Sequence, residues 1–196
     1  MKLKGVLFDL DGTIVEVPYD WKRIKEELGT QGKPILSFLQ ELPEPEKSKK
    51  RQILEKYEQE ATRKAVLKEG MDGLLEFLSE NRIKKAVVTN NSRKNVRFLL
   101  KKFNLDFDCV ISRESGLWKP SGSPFLEVLE RFSLKAEECC AVGDSHYDIK
   151  AAREAGIPWI FILGPEKTDF SGDDIQFFST VSELKEKVKE LIKGEH

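Results

Sequence analysis

The stretch Gly5–Thr13 reads GVLFDLDGT, and it determines how the rest of the chain is interpreted. Residues 6–9 form a short apolar run that acidic residues and a glycine stop. A continuous apolar run of this length is typical of a parallel strand buried on both faces, whereas a half-exposed strand alternates apolar and polar residues. The sequence therefore predicts a buried strand that ends at two carboxylates, Asp9 and Asp11.

The same pattern recurs along the chain and alternates with helical periodicity. Further strands are predicted over residues 85–89, 109–112, 139–143 and 159–163, and helices over 73–81, 93–103, 124–132, 148–155 and 181–192. Strands that alternate with helices favour a parallel sheet covered on both faces. We therefore expect an α/β fold, a Rossmann-like three-layer sandwich with a central parallel sheet.

One region interrupts this alternation directly after the first strand. Residues 17–68 show no strand pattern but contain helical runs at 21–28, 35–42 and 48–67, separated by the breakers GTQGKP and LPEPE. We interpret this region as a small α-helical cap domain. The catalytic core is then expected to comprise residues 1–16 and 69–196, with closure of the cap controlling access to the site.

Composition excludes several classes of protein. The chain has 33 basic and 34 acidic residues and a net charge of -1, so no overall field would attract nucleic acid or an anionic membrane. The amino-terminal segment lacks the apolar core of a signal peptide or spanning helix, and we expect a cytoplasmic protein. The three cysteines, with Cys139 and Cys140 adjacent, form neither a disulfide framework nor a zinc pattern.

Polar side chains follow the ends of successive predicted strands. They are Asp9 and Asp11 after the first strand, Thr89 and Asn90 after the second, Lys119 in the loop after the third, and Asp144 and Asp148 after the fourth. In an open parallel sheet, ligands bind beyond the carboxyl ends of the strands. The sequence therefore predicts one site with four carboxylates, a hydroxyl, an amide and a lysine.

The chemistry of this set indicates a bound metal and a bound phosphate. Clustered carboxylates repel one another unless a cation neutralises them, and oxygen ligands of this kind suit Mg²⁺. Lys119 and the Thr89 hydroxyl supply a positive charge and a donor for an anionic group. Taken singly, each residue has a simpler interpretation as a turn, strand or surface residue, and only their placement at consecutive strand ends favours a site.

The ordered motifs resemble those of the haloacid dehalogenase-like hydrolase superfamily. The four matching segments are Asp9-Leu10-Asp11-Gly12-Thr13, Thr89-Asn90, Lys119-Pro120 and Gly143-Asp144-Ser145 with Asp148. The helical insertion resembles the small cap of the phosphoglycolate phosphatase-like branch. The chain departs from the usual pattern after Pro120, where it reads Ser121-Gly122-Ser123-Pro124.

The resemblance implies a role for each matching residue. Asp9 is expected to be the nucleophile and a metal ligand, and Asp11 the general acid and base that also gives its backbone carbonyl to the metal. Asp144 is expected to be a further metal ligand, and Asp148 to belong to the same magnesium site, where it would orient water. The phosphate group is expected to be bound by Thr89, Asn90 and Lys119.

The expected function is a magnesium-dependent phosphatase that hydrolyses small phosphate monoesters through an aspartyl-phosphate on Asp9, with phosphoglycolate as the first substrate to test. The expected partner is a small phosphorylated metabolite, with no nucleic acid or membrane. A phosphotransferase or sugar-phosphate mutase is the alternative, but the sequence shows no cap residue that would activate an acceptor. A catalytically silent phosphate-binding module is a third possibility, which would be expected to lack Asp9 or Asp11.

Overall fold

The computed structural model describes residues 2–164 and 172–194. The chain divides into two compact units, one built from Met1–Glu16 and Leu67–His196 and the other from Val17–Val66. The second unit is helical. Its role as a cap domain stays a prediction.

In the described residues, six parallel strands form the sheet of the larger unit. They are β1 (Gly5–Phe8), β4 (Lys84–Val88), β5 (Cys109–Ile111), β6 (Cys139–Gly143), β7 (Trp159–Leu163) and β8 (Ile175–Phe178). Their order across the sheet is β5-β4-β1-β6-β7-β8. Two further short strands, β2 (Val15–Glu16) and β3 (Val66–Leu67), pair with each other. The prediction of a central parallel sheet is confirmed.

Strand β1 lies in the middle of this sheet, between β4 and β6. Its residues Val6, Leu7 and Phe8 are completely buried, as the continuous apolar run predicts. Burying a side chain of this size stabilises a fold by about 1.5–3 kcal/mol. Strand β8 is absent from the sequence-based prediction, because its run is short, is interrupted by Gln176 and is only half-buried at the sheet edge.

Helices cover both faces of the sheet. The larger unit contains α4 (Met71–Glu80), α5 (Arg93–Lys102), α6 (Ser123–Phe132), α7 (His146–Glu154) and α8 (Val181–Lys193). Helices α6 and α7 pack together in a core cluster with the strands, whereas α4 contacts α8 as well as β4. The structure is therefore a three-layer α/β fold, which confirms the predicted fold class.

The smaller unit consists of α1 (Trp21–Leu28), α2 (Ile35–Glu41) and α3 (Glu46–Arg63). Helix α3 packs against both other helices, and their shared apolar core contains Ile24, Leu28, Leu39 and Leu54. Charged residues on the remaining face of α3 agree with a helix that packs on one side only.

Two further properties of the described residues bear on the predictions from composition. None of their helices combines the length and the apolar character that crossing a bilayer requires. Cys109, Cys139 and Cys140 are free thiols, and all three are buried.

Asp108 directly precedes β5, and its side chain binds the start of β4. Its carboxylate accepts the Lys85 backbone N–H at 2.9 Å and pairs with the Lys84 ammonium at 2.8 Å. Partial burial alone would raise the pKa of Asp108, but the hydrogen bonds from Lys84 and Lys85 outweigh it and lower the pKa below its usual value. A carboxyl whose pKa is lowered on folding stabilises the protein above its unfolded pKa.

We predict that Asp108→Asn lowers the free energy of unfolding at neutral pH by about 1 kcal/mol, since the side chain is one-third exposed and water screens the pair. The difference from wild type should shrink as the pH falls through the folded-state pKa of Asp108, because protonation removes the same interaction. Urea unfolding at several pH values measures it, with the exposed neighbour Asp106→Asn as control. A difference that does not vary with pH would contradict the prediction.

Candidate active site

The carboxyl ends of three adjacent strands bring the candidate residues together. Asp9 follows β1, Thr89 follows β4 and Asp144 follows β6. Asp9 and Thr89 extend the ladder by one residue, since the Asp9 N–H donates to the Val142 carbonyl at 2.8 Å and the Thr89 N–H to the Ile111 carbonyl at 3.0 Å. The parallel pairing therefore places these side chains at one edge of the sheet.

Lys119 lies between two of the carboxylates. Its ammonium nitrogen is 2.7 Å from Asp9 Oδ1 and 2.6 Å from Asp148 Oδ1, and only 3% of its side chain is exposed. A buried charge requires close partners of opposite sign, because desolvation of an unpaired ion costs several kcal/mol. This lysine therefore links the end of β1 to α7.

Asn90 holds the backbone of Lys119 through two hydrogen bonds. Its Oδ1 accepts the Lys119 N–H at 2.9 Å, and its Nδ2 donates to the Lys119 carbonyl at 2.8 Å. The Asn90 carbonyl in turn accepts Arg113 Nε at 3.0 Å. The structure thus shows Asn90 as a residue that positions Lys119, and its predicted contact with phosphate stays a prediction.

Asp148 is 1% exposed and is held by donors on both carboxylate oxygens. Oδ1 accepts Lys119, while Oδ2 accepts the Ser145 hydroxyl at 2.6 Å, the Ser145 N–H at 3.1 Å and the Asp144 N–H at 3.3 Å. The residue also completes the capping box at the start of α7. Its carboxylate packs against Gly143, where an added Cβ would overlap it.

Burial and charge shift the pKa values of the central pair. Burial raises the pKa of Asp9 well above its usual range; the Lys119 ammonium opposes this shift, and the nearby carboxylates of Asp148, Asp144 and Asp11 add to it. Burial alone would lower the pKa of Lys119, but the carboxylates of Asp148 and Asp9 outweigh it, and the pKa is raised. Lys119 is therefore protonated, and its charge does not balance the surrounding carboxylates.

The carboxylates fit a hard divalent cation. Asp9, Asp144 and Asp148 each offer an oxygen, and these atoms all lie within 4.8 Å of one another. Gly12, at φ +85°, lies so close to Asp144 that an added Cβ would overlap its carboxylate. An all-oxygen set with an excess of negative charge suits Mg²⁺. Since both oxygens of Asp148 already accept donors, Asp9 and Asp144 are better placed for direct ligation.

The structure adds a residue to the site that the sequence interpretation missed. Asn91 Nδ2 donates to Asp11 Oδ2 at 2.9 Å, and the Asn91 N–H donates to the Thr89 hydroxyl oxygen at 3.1 Å. That hydroxyl keeps its own O–H as a donor. The run Asn90-Asn91-Ser92 before a helix was the available signal, but it reads as an ordinary helix start, which the Ser92 cap indeed provides.

Comparison with known protein families identifies the family to which this fold belongs. A family model described as haloacid dehalogenase-like hydrolase matches residues 16–162. The chain belongs to the haloacid dehalogenase-like hydrolase family. The part of this chain that matches the family model begins after Asp9 and Asp11. It includes Thr89, Lys119, Asp144 and Asp148.

Individual relatives agree with this assignment. A protein of Caldanaerobacter subterraneus subsp. tengcongensis, provisionally named pyrophosphatase PpaX, is 32% identical over 89% of this chain and 92% of its own length. A phosphoglycolate phosphatase of Xanthomonas campestris pv. campestris is 26% identical over 83% of this chain and 86% of its own. The prediction of an enzyme is thus confirmed by the family, and the phosphatase-named relatives support the phosphoric monoester hydrolase class.

Solved structures support the fold. A hydrolase of the same superfamily from Ehrlichia chaffeensis has 26% identity and a TM-score of 0.67, covering 98% of this chain and 99% of that chain. The predicted resemblance and the predicted α/β fold are both confirmed by these comparisons.

The close contact between Gly143 and Asp148 leaves no room for a methyl group at position 143. We predict that Gly143→Ala displaces the Asp148 carboxylate and with it Lys119, because the Cβ would occupy the same space. Displacing positioned groups by even 1 Å costs up to about a hundredfold in rate, and overpacking costs about 1–3 kcal/mol of stability. Hydrolysis of a phosphate ester and urea unfolding measure the two effects.

Gly73→Ala is the matched control. An added Cβ at Gly73, in α4, would meet only Lys185 Nζ at an ordinary 3.9 Å. Alanine there should leave hydrolysis unchanged and stabilise the helix by up to about 1 kcal/mol. Equal effects of the two substitutions would show that the close approach of Asp148 to Gly143 has no functional importance.

Proposed function

We propose that the chain is a magnesium-dependent phosphatase that hydrolyses small phosphate monoesters by transferring the phosphoryl group to Asp9. The observation that carries the proposal is the buried Lys119, bound to Asp9 at 2.7 Å and to Asp148 at 2.6 Å beside the Asp144 carboxylate. One ammonium among several carboxylates is an arrangement that can bind a metal and an anionic group together.

Asp9 is the proposed nucleophile. Only an ionised carboxylate can attack phosphorus, and burial raises the pKa of Asp9. The Lys119 ammonium counters that shift and holds one carboxylate oxygen in place. Lys119 therefore favours the charged form of Asp9 and orients its carboxylate. A carboxylate nucleophile divides the hydrolysis into two phosphoryl transfers, each easier than direct attack by water.

Asp9 and Asp144, with the backbone carbonyl of Asp11, would hold the magnesium ion, and Asp148 would support them from behind. Bound magnesium neutralises charge on the phosphoryl oxygens. On the protein side, the Thr89 hydroxyl and the Lys119 ammonium supply donors to the same oxygens. Since the protein contributes mainly position and charge, small displacements of these groups are expected to reduce the rate strongly.

Asp11 is the proposed general acid and base. In the first step its proton passes to the ester oxygen as the P–O bond breaks, so that the product leaves as a neutral alcohol and the phosphoryl group is bonded to Asp9. In the second step the Asp11 carboxylate takes a proton from water while the water oxygen bonds to phosphorus and the Asp9–phosphorus bond breaks. The two steps return Asp9 and Asp11 to their starting states.

The substrate class follows from the relatives and is a proposal. The relatives are named phosphoglycolate phosphatase and pyrophosphatase, which makes 2-phosphoglycolate and inorganic pyrophosphate the first compounds to compare. A small phosphorylated metabolite as partner and a location in the cytoplasm belong to the same proposal. Transfer to a sugar is the competing activity, and the presence of Asp9 and Asp11 argues against a silent binding module.

We predict that the protein releases inorganic phosphate from small phosphomonoesters, that a chelator abolishes this release and that added Mg²⁺ restores it. Asp9→Asn should reduce turnover by at least about a thousandfold, since an amide cannot form the phosphoryl-enzyme. The measurement is phosphate release from a panel that includes 2-phosphoglycolate and pyrophosphate. Asp106→Asn, the same change at an exposed carboxylate, is the matched control and should behave as wild type.

Two results would reject the proposal. Phosphate release that survives Asp9→Asn would exclude Asp9 as the nucleophile, and release that is indifferent to chelation would exclude the metal. Consumption of the ester without release of inorganic phosphate, in the presence of an added sugar, would establish the phosphotransferase instead.

A further inference from the structure

A buried pair of amides lies behind Asp11. Asn91 and Asn95 are only 5% and 4% exposed. Asn95 Nδ2 donates to Asn91 Oδ1 at 3.0 Å, and Asn91 Nδ2 donates to Asp11 Oδ2 at 2.9 Å. The three side chains form a continuous row of hydrogen bonds from the first turn of α5 to the proposed general acid.

The orientation of the Asn91 amide is fixed by a backbone group. The Ser92 N–H, which can only donate, lies 2.7 Å from Asn91 Oδ1. That atom must therefore be the oxygen, and the atom that faces Asp11 must be the NH₂ group. The Asn91 backbone is held as well, since its N–H donates to the Thr89 hydroxyl oxygen and its carbonyl accepts the Arg113 N–H at 3.0 Å.

This fixed direction has a consequence for Asp11. Because the neighbouring group is an N–H donor, Asp11 Oδ2 must accept in that contact. A carbonyl oxygen accepts more strongly than the oxygen of a carboxylic O–H, so this contact favours a protonated Asp11 whose proton is bonded to Oδ1. The row of amides thus orients the carboxyl group and favours Oδ1 as the oxygen that transfers the proton.

We propose that Asn91 is a positioning residue for proton transfer by Asp11, and that Asn95 supports it from α5. The inference rests on the proposed function, in which Asp11 protonates the departing ester oxygen. The step is the one given above: the proton moves from Asp11 Oδ1 to the ester oxygen, and the P–O bond breaks as the phosphoryl group bonds to Asp9. Asn91 itself exchanges no proton.

The inference predicts a loss that depends on the leaving group. An alkyl phosphate needs a proton on its departing oxygen, whereas p-nitrophenyl phosphate releases a stable phenolate that needs none. Loss of general acid catalysis costs about 10²–10⁴-fold where the proton is needed. Misplacement of Asp11 should therefore reduce kcat/KM for the alkyl ester far more than for the aryl ester.

The experiment measures kcat/KM of wild type and Asn91→Ala for glycerol 2-phosphate and p-nitrophenyl phosphate with saturating Mg²⁺. kcat/KM is the appropriate constant, since it reports the first phosphoryl transfer and not the later hydrolysis. We expect a fall of at least about thirtyfold for the alkyl ester and less than about threefold for the aryl ester. Asn95→Ala should show the same selectivity with a smaller loss, because the Ser92 N–H still orients Asn91.

Ser92→Ala is the structural control. The Ser92 hydroxyl accepts the Asn95 N–H at 3.3 Å and caps α5, but the Asn91 contact uses only the Ser92 backbone. Loss of such a cap costs about 1 kcal/mol. This variant should unfold at a lower temperature than wild type and keep the wild-type ratio of kcat/KM for the two esters. Thermal unfolding of every variant, followed by circular dichroism, separates loss of fold from loss of positioning.

The outcomes distinguish this inference from the function on which it rests. Equal losses for both esters in Asn91→Ala and Asn95→Ala, or no loss for the alkyl ester, would overturn the positioning role and leave the phosphatase intact. The same selectivity in Ser92→Ala would assign the effect to the start of α5 and also overturn it. A wild type that releases phosphate neither from these two esters nor from any member of the panel given above would overturn the proposed function, and this inference with it.

Discussion

The buried ammonium of Lys119 is the interaction on which the site depends. It joins Asp9, at the end of the central strand, to Asp148, at the start of α7, and it is almost completely enclosed. Removing one partner from a buried ion pair leaves an uncompensated charge and costs about 3–5 kcal/mol. The same contact therefore holds the sheet to the helix and favours the ionised form of the proposed nucleophile.

Several neighbouring residues orient Lys119 and the carboxylates that it contacts. The Asn90 side chain forms hydrogen bonds with both the N–H and the carbonyl of Lys119. The Ser145 hydroxyl donates to Oδ2 of Asp148. Gly143 provides the space into which the Asp148 carboxylate folds. Each of these residues acts on the chemistry only through another one. The site is thus a small set of reactive groups inside a larger set of groups that orient them.

The sequence predicted the fold from simple periodicity, and it predicted that the ends of the strands would bring polar residues together. Apolar runs ending in polar residues predicted β1, β4, β5, β6 and β7, and the parallel arrangement predicted that their ends would meet. Strand β8 was not predicted, because its run at the sheet edge is short, half-buried and interrupted by Gln176. The function of each group is a separate question, and only the family is established by comparison.

The residues that were missed are those whose importance lies in contacts between distant segments. Asn91 resembles any polar residue before a helix, and only its distance of 2.9 Å from Asp11 distinguishes it. Asn90 binds the Lys119 backbone through its side chain, and no local pattern indicates this contact. Side-chain partners across the sheet depend on register and rotamer, and neither is encoded in one segment of sequence.

The position of β1 in the sheet also constrains how the protein is made. This strand is synthesised well before its neighbour β6 and before Asp148, which lie much further along the chain. Contacts between residues so distant in sequence form slowly, because closing a long loop costs entropy before the contact is gained. A nascent chain therefore contains Asp9 before it contains the buried lysine and the helix that hold the Asp9 carboxylate. The proposed nucleophile gains its orientation only after α7 has been synthesised and packed against the sheet.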